Sequence, residues 1–129
     1  MFKFYLKVYY EDTDSGNVVY YANYLKFIER ARTNLIHELG FSLKFFIEKY
    51  DSSFVVKNIN CSYLQSAKLE DDLCVYSKFL NIKNASFELE QNIFRDQNMI
   101  FTSKVLMVNV NSDGKPLKLP EPLVSAIND

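Results

Sequence analysis

Two kinds of side chain alternate along the first nine residues. The even positions are apolar: Phe2, Phe4, Leu6 and Val8. The odd positions from residue 3 to residue 9 carry lysine or tyrosine. A period of two is typical of a β-strand with one buried face, so a strand is predicted here. Residues 11–17 are polar or turn-forming and predict a loop after that strand.

The hydrophobic period changes at about residue 20. Apolar and aromatic side chains then recur at spacings of three and four: Tyr21, Tyr24, Leu25, Ile28, Ala31, Leu35 and Leu39. This spacing predicts an amphipathic helix of about five turns. Gly40 is expected to end the helix, because glycine readily takes the left-handed conformation that follows a last turn. A second, shorter helix is predicted over residues 42–50.

Four segments rich in Val, Ile, Phe and Tyr follow and are predicted to be strands: residues 54–65, 73–82, 86–95 and 99–110. Residues 83–85 and 96–98 predict tight turns, and strands joined so closely pair antiparallel. The chain is therefore expected to be a single α+β domain over residues 1–129. The predicted architecture is the hotdog fold, in which a five-stranded antiparallel sheet wraps around one long central helix. The open edge of such a sheet predicts a homo-oligomer.

Composition narrows the class of protein. A chain of 129 residues with 48% hydrophobic and 24% charged residues is an ordinary globular domain and not a disordered chain. Fifteen Lys and Arg against sixteen Asp and Glu leave a net charge of -1, which argues against a nucleic-acid binder. Aromatic residues make up 16% of the chain and predict a pocket or a subunit interface.

The sequence contains no recognisable targeting segment and no metal-binding motif. Lys3 and Lys7 interrupt the amino-terminal apolar residues, so a signal peptide is not expected. No run approaches the ~20 apolar residues that a membrane span needs, so a transmembrane segment is not expected either. Cys61 and Cys74 are interpreted as free thiols of a cytoplasmic protein. The single histidine, His37, excludes a zinc site built on several imidazoles.

Asp14 is the first candidate for chemistry, since it lies in the loop before the predicted long helix. Unpaired N–H groups at a helix start carry partial positive charge, which favours an ionised carboxylate and can also hold an oxyanion. A carboxylate and an oxyanion donor close together suit acyl transfer. The alternative is structural, because Asp in such a turn is often an Asx-turn or cap residue.

Other polar and aromatic residues of the helix have structural interpretations. Tyr21 and Tyr24 are interpreted as core or interface side chains, although the backbone N–H of Tyr21 is expected to be free in a first helical turn. Glu29, Arg30 and Arg32 are interpreted as a solvated charged face.

Residues 8–25 (VYYEDTDSGNVVYYANYL) and 27–32 (FIERAR) closely resemble the 4-hydroxybenzoyl-CoA thioesterase family of hotdog proteins. The chain is most similar to the bacterial acyl-CoA thioesterase branch associated with the Tol–Pal cluster. The likeness continues through residues 54–56, 62–64, 67–73 and 113–116. Two positions depart from the pattern, because many members carry His in place of Tyr21 and Gly in place of Asn17.

The resemblance implies hydrolysis of an acyl-CoA thioester without a metal or redox cofactor. Asp14 matches the family's nucleophile or general base, and Tyr21 matches the residue whose backbone N–H polarises the thioester carbonyl. The implied site lies between subunits, which commonly assemble as tetramers of paired dimers. Lys83 is the main cation left in the turn that meets the CoA phosphates, and Tyr24 is a second candidate for substrate contact. The alternatives are a module that binds acyl-CoA or an acyl-carrier protein without hydrolysis, and an interaction adaptor.

Overall fold

Strands and helices follow one another in the predicted order over most of the chain. A computed structural model describes all residues from Met1 to Asp129. The strands are β1 (Phe2–Lys7), β2 (Ser53–Tyr63), β3 (Asp72–Ile82), β4 (Ser86–Arg95) and β5 (Asn98–Val110). The helices are α1 (Asn23–Glu38), α2 (Leu43–Tyr50) and α3 (Glu121–Asn128). A short 3₁₀ turn, Tyr10–Asp12, follows β1.

All five strands form one antiparallel sheet in the order β1-β3-β4-β5-β2. The five-stranded antiparallel sheet predicted from the sequence is therefore confirmed. β1 and β2 are the two edges, and each pairs with only one neighbour. The register of β2 against β5 shifts between Val56 and Asn58, so Lys57 is an extra residue in the edge strand. Such a bulge re-aims the side chains around it.

Helix α1 covers one face of the sheet with a continuous apolar stripe. Six of its residues are buried: Tyr24, Phe27, Ile28, Ala31, Leu35 and Ile36. They belong to a core of 21 buried hydrophobic residues that includes Val75, Leu89 and Val105 from three strands. The spacing of three and four in the sequence thus reports the buried face of this helix.

The predicted start of α1 is too early. The helix begins at Asn23, because residues 20–22 form a turn in which the Asn23 N–H donates to the Tyr20 carbonyl at 2.8 Å. α2 is confirmed, and the Ser42 hydroxyl caps it by accepting the Phe45 N–H at 3.0 Å. α3 was not predicted, because it is only eight residues long and begins directly after Pro120. It contributes the fully buried Leu123 to the core.

Candidate active site

The loop that carries Asp14 is a small, closed hairpin. Thr13 and Val19 form an isolated β-bridge, and the Asp14 N–H donates to the Val18 carbonyl at 2.9 Å. Asn17 has a left-handed backbone in this turn, with φ of 62°. Its N–H donates to the Asp14 carbonyl at 3.1 Å. The backbone of Asp14 is therefore fixed on both sides.

The Asp14 side chain is exposed and takes part in an Asx turn. Its Oδ1 accepts a hydrogen bond of 2.9 Å from the Gly16 N–H, which is the structural role weighed as the alternative. Its Oδ2 accepts no hydrogen bond from the chain and is free for a ligand or water. The turn thus orients the carboxylate and leaves one oxygen available.

Neighbouring segments hold the Asp14 loop against the sheet. Val18 forms a β-bridge with Lys68, and the Val19 N–H donates to the Ala67 carbonyl at 2.8 Å. The carboxylate of Asp12 is buried and accepts the Tyr9 N–H at 2.9 Å, while its carbonyl accepts the Tyr20 N–H at 3.0 Å. Asp12 is therefore a turn former and not a second exposed carboxylate.

Tyr21 lies two residues before the first residue of α1, so its predicted place in the first helical turn is wrong. Its backbone N–H nevertheless donates to no acceptor in the chain. The ring is exposed and lies against Tyr20, with 4.8 Å between ring centroids, and against Tyr63 at 6.2 Å. A free backbone donor therefore precedes α1, where the partial positive charge of the helix is greatest.

Tyr24 is mainly a core residue. Only 3% of it is exposed, its ring stacks on Phe101 with 5.5 Å between centroids, and its hydroxyl accepts the Ala67 N–H at 2.9 Å. One edge of the ring borders a cleft of about 210 Å³ that Tyr21 and Tyr63 also line. Because its hydroxyl already accepts this hydrogen bond, Tyr24 can contact a ligand in the cleft only through its ring.

Lys83 lies at the opposite end of the sheet from Asp14. It sits in the turn between β3 and β4, where its N–H donates to the Ser86 carbonyl at 2.8 Å. The Asp14 loop instead joins Lys68, just before β3. The 11 residues of β3 separate these ends by about 33 Å, at roughly 3.3 Å per residue. One chain does not bring Lys83 and Asp14 together.

A second lysine lies near Lys83 on the surface of the sheet. Lys57 lines the same hollow of about 310 Å³ on the sheet, at the bulge of β2. The two side chains come from turns and strands far apart in sequence, and neither has a carboxylate partner within ion-pair distance. Lys57 was not singled out in the sequence, because no periodic pattern marks a bulged position.

The interpretation of Arg32 as a solvated residue is wrong. It lines an apolar cavity of about 290 Å³ between α1, α2 and the strands β2, β4 and β5. Its Nη1 donates to the Oε1 of the fully buried Gln91 at 2.9 Å. Burial lowers the pKa of Arg32, an effect that Glu29 opposes, and the side chain stays charged because arginine titrates far above neutral pH. Glu29 and Arg30 are exposed, as predicted.

A signal for the buried position of Arg32 was present in the sequence. Four residues separate Arg32 from Ile28 and from Ile36, both of which are buried on the stripe of α1. Residues four apart lie on the same helix face, so Arg32 falls on the apolar side despite its charge.

The fold and these features place the protein in a class of thioester-cleaving enzymes with the hotdog fold. The chain belongs to the thioesterase superfamily, whose family model matches residues 16–102. It is 39% identical over 129 residues to the acyl-CoA thioesterase YbgC of Haemophilus influenzae, which covers 98% of this chain and 94% of that protein. It is 34% identical to the acyl-CoA thioester hydrolase YbgC of Escherichia coli, across 97% of this chain and 94% of that protein.

Solved structures agree with this assignment. The crystal structure of a probable thioesterase from Bartonella henselae is 31% identical in sequence and superposes with a TM-score of 0.88. The match covers 92% of this chain and 98% of that one. Among the helices of the present structure, none combines the length and apolar character needed to cross a membrane.

Proposed function

We propose that this protein hydrolyses acyl-CoA thioesters to a free acid and CoA, with Asp14 as nucleophile or general base and the Tyr21 N–H as oxyanion donor. The observation that carries the proposal is the free Oδ2 of Asp14 on a fixed loop, a few residues from an unpaired backbone donor. The similarity to acyl-CoA thioesterases of other bacteria supports the substrate class.

Two routes lead from this arrangement to the same products. As a nucleophile, Oδ2 attacks the carbonyl carbon, the C–S bond breaks, CoA leaves as a thiolate, and water hydrolyses the resulting anhydride. As a general base, the carboxylate takes a proton from water while the water oxygen attacks the same carbon. In both routes the Tyr21 N–H stabilises the negative charge on the carbonyl oxygen.

The complete site needs a second copy of the chain. The open edge strand β2 can pair antiparallel with β2 of a partner around a two-fold axis, which places opposite ends of the two sheets side by side. Lys83 and Lys57 of the partner subunit then lie at the end that carries Asp14, where they bind the CoA phosphates. Tyr24 borders the acyl group, and two such dimers form a tetramer.

The proposed cellular setting combines the sequence pattern, which favours a cytoplasmic single domain, with the family resemblance, which indicates the branch. The protein acts in the cytoplasm as a single domain over residues 1–129, in the branch associated with the Tol–Pal cluster. An acyl-carrier protein is the second possible source of the thioester. The near-neutral charge of -1 fits these partners better than nucleic acid.

One observation favours a second candidate function, an acyl-CoA binding module without hydrolysis. The hydrogen bond from Gly16 occupies Oδ1 of Asp14, so the side chain already has a structural task in the loop. An interaction adaptor would use the same fold in a similar way. Both candidates differ from the enzyme in that Asp14 would not be needed for thiol release.

The substitution Asp14→Asn tests the proposal, because asparagine keeps an oxygen for the Gly16 N–H and loses the charge. We expect kcat for thiol release, followed with a thiol-reactive dye, to fall about a hundredfold or more. Asp113→Asn, at an exposed aspartate in a distant turn, is the matched control and should retain the wild-type rate. Unchanged turnover in Asp14→Asn rejects the mechanism, and tight acyl-CoA binding without thiol release in the wild type favours the binding module.

A further inference from the structure

Arg32 is a largely buried cation with no anionic partner in its own chain. The ion pairs of the structure are Lys7 with Asp72 and Arg95 with Asp71, and neither involves Arg32. Glu29 shares the cavity wall but forms no ion pair with it. Burying a charge is unfavourable unless an opposite charge or several hydrogen bonds compensate it. Gln91 and the nearby charge of Glu29 compensate this guanidinium only in part, which leaves it able to bind an anion from outside the chain.

The free N–H groups of Arg32 have access to the cavity. A guanidinium has five N–H donors, and here Nη1 makes the one side-chain hydrogen bond, to Gln91. The only fully buried side-chain nitrogen or oxygen atom without a partner is Oδ1 of Asn109. The unpaired Nε and Nη2 of Arg32 are therefore not fully buried, and Arg32 is one of the residues that line the cavity.

Gln91 holds the guanidinium in one orientation. Its Nε2 donates to the Ile28 carbonyl at 3.0 Å and to the Ser77 hydroxyl at 2.9 Å, which leaves Oε1 for Arg32. Gln91 itself is fully buried in the middle of the sheet. A planar cation that is fixed from behind suits two-point binding of a carboxylate, because two parallel N–H groups match its two oxygens.

Apart from the charged Arg32 and Glu29, apolar side chains dominate the cavity, among them Leu35, Ile36, Leu43 and Leu89. Its volume of about 290 Å³ is close to the lower end of the range for small-ligand pockets, about 300 Å³. Val55 and Val56 of β2 also line it. The antiparallel pairing of β2 proposed above places this end of the strand beside the Asp14 end of the other copy.

We infer that Arg32 determines substrate specificity by binding a carboxylate at the far end of the acyl group. The preferred substrates are then CoA monothioesters of dicarboxylic acids, whose methylene chain fills the cavity and whose free carboxylate pairs with the guanidinium. This inference rests on the proposed function, because it places the acyl group of that reaction in this cavity.

Two thioesters that differ only at the distal end test the inference. Adipoyl-CoA and hexanoyl-CoA have the same chain length, but only the first carries a terminal carboxylate. We expect the wild type to favour adipoyl-CoA by about tenfold or more in kcat/KM, since a site built around a polar partner discriminates against the analogue that lacks it. Arg32→Met should remove that preference, mainly through KM for adipoyl-CoA, so that the ratio of the two kcat/KM values approaches one.

Arg30→Met is the matched control, because Arg30 is exposed on the same helix and should keep the preference. If Arg32→Met does not fold, Arg32→Lys serves instead. It retains the charge without the planar fork, and we expect it to weaken the preference for adipoyl-CoA. Equal kcat/KM for the two thioesters in the wild type overturns the inference. A preference that survives in Arg32→Met also overturns it, and dissociation of the oligomer in that variant would then assign the guanidinium to a carboxylate of a second copy.

Binding to the Asp14→Asn variant separates this inference from the proposed function. Calorimetry should show tighter binding of adipoyl-CoA than of hexanoyl-CoA, and addition of Arg32→Met should abolish the difference. If no thioester releases thiol in the wild type while this binding preference is present, the hydrolytic mechanism fails and the inference stands. If both thioesters are hydrolysed and bound equally well, the inference fails and the hydrolytic function stands.

Discussion

The hydroxyl of Tyr24 in α1 accepts a hydrogen bond of 2.9 Å from the backbone N–H of Ala67, which lies 43 residues later in the chain. The Ala67 carbonyl in turn accepts the Val19 N–H at 2.8 Å. These two bonds connect the start of α1, the segment between β2 and β3, and the loop that carries Asp14. Tyr24 therefore supports the proposed catalytic loop from inside the core.

Tyr24→Phe should reduce the free energy of unfolding by about 1–3 kcal/mol, because it leaves the buried Ala67 N–H without an acceptor. Urea denaturation followed by circular dichroism measures this change. Tyr10→Phe removes a hydroxyl from a ring that is 76% exposed, and it should alter the free energy of unfolding by less than about 0.5 kcal/mol. Equal stability of the two variants would show that the Tyr24 bond contributes nothing.

Arg32 and Gln91 should act as one unit in stability. Gln91→Met removes a hydrogen-bond partner from the Arg32 guanidinium, the Ser77 hydroxyl and the Ile28 carbonyl. We therefore expect the free energy of unfolding to fall by about 2–4 kcal/mol. The double variant Arg32→Met, Gln91→Met should lose less than the sum of the two single changes, since the buried cation is gone. Additive losses in denaturant titrations would mean that the two side chains do not interact energetically.

The open edge of β2 should be the surface on which two copies meet. Asn58 and Asn60 are exposed on this strand, and changing both to Asp adds two negative charges per copy with little change in shape. Like charges across a strand pair are destabilising. We expect light scattering to show dissociation to monomers, together with a more than tenfold fall in kcat/KM.

The control for the edge variant is the pair Asn98→Asp and Asn128→Asp, which adds the same charge at exposed positions away from β2. This pair should keep both the oligomer and the activity. An unchanged assembly in the Asn58→Asp, Asn60→Asp variant would move the interface elsewhere. Loss of activity without dissociation would show that the β2 edge affects catalysis but does not hold the oligomer together.

Cys74 should react slowly with alkylating reagents at mildly alkaline pH. Burial raises the pKa of the Cys74 thiol, and Lys3 opposes this shift. A raised pKa means a smaller thiolate fraction at pH 8, and the thiolate is the reactive form. In a Cys61→Ser background, iodoacetamide should modify Cys74 more slowly than free cysteine, with a rate that rises as pH approaches the raised pKa. Modification as fast as that of free cysteine at pH 8 would contradict burial of this thiol.

Most of the fold was predictable because its elements follow simple periods. The alternation in residues 2–8 and the spacing of three and four along α1 each report one inward face. The α1 face lies in the core, and the β1 face packs against it. The short connections after β3 and β4 predicted antiparallel pairing, which is what the sheet has. Local pattern alone determines these features, since each depends on neighbours in sequence.

Four features of the structure were not predicted from the sequence. The start of α1 was misplaced because a turn at Tyr20 uses the same aromatic residues as the helix. The charge of Arg32 hid its place on the buried stripe of α1, and its bond to Gln91, 59 residues later, has no local pattern. The separation of Lys83 from Asp14 depends on the length of β3, and only pairing between copies would join them. α3 is too short for its period to stand out after two prolines.

The bridges of Thr13 to Val19 and of Val18 to Lys68 have a consequence for how the enzyme meets its substrate. A loop tied to the sheet in this way has already lost its backbone freedom when the chain folds. In the proposed mechanism, acyl-CoA would then arrive at a preorganised carboxylate and would not bear the entropic cost of ordering it. Turnover should accordingly persist on heating until the whole domain melts.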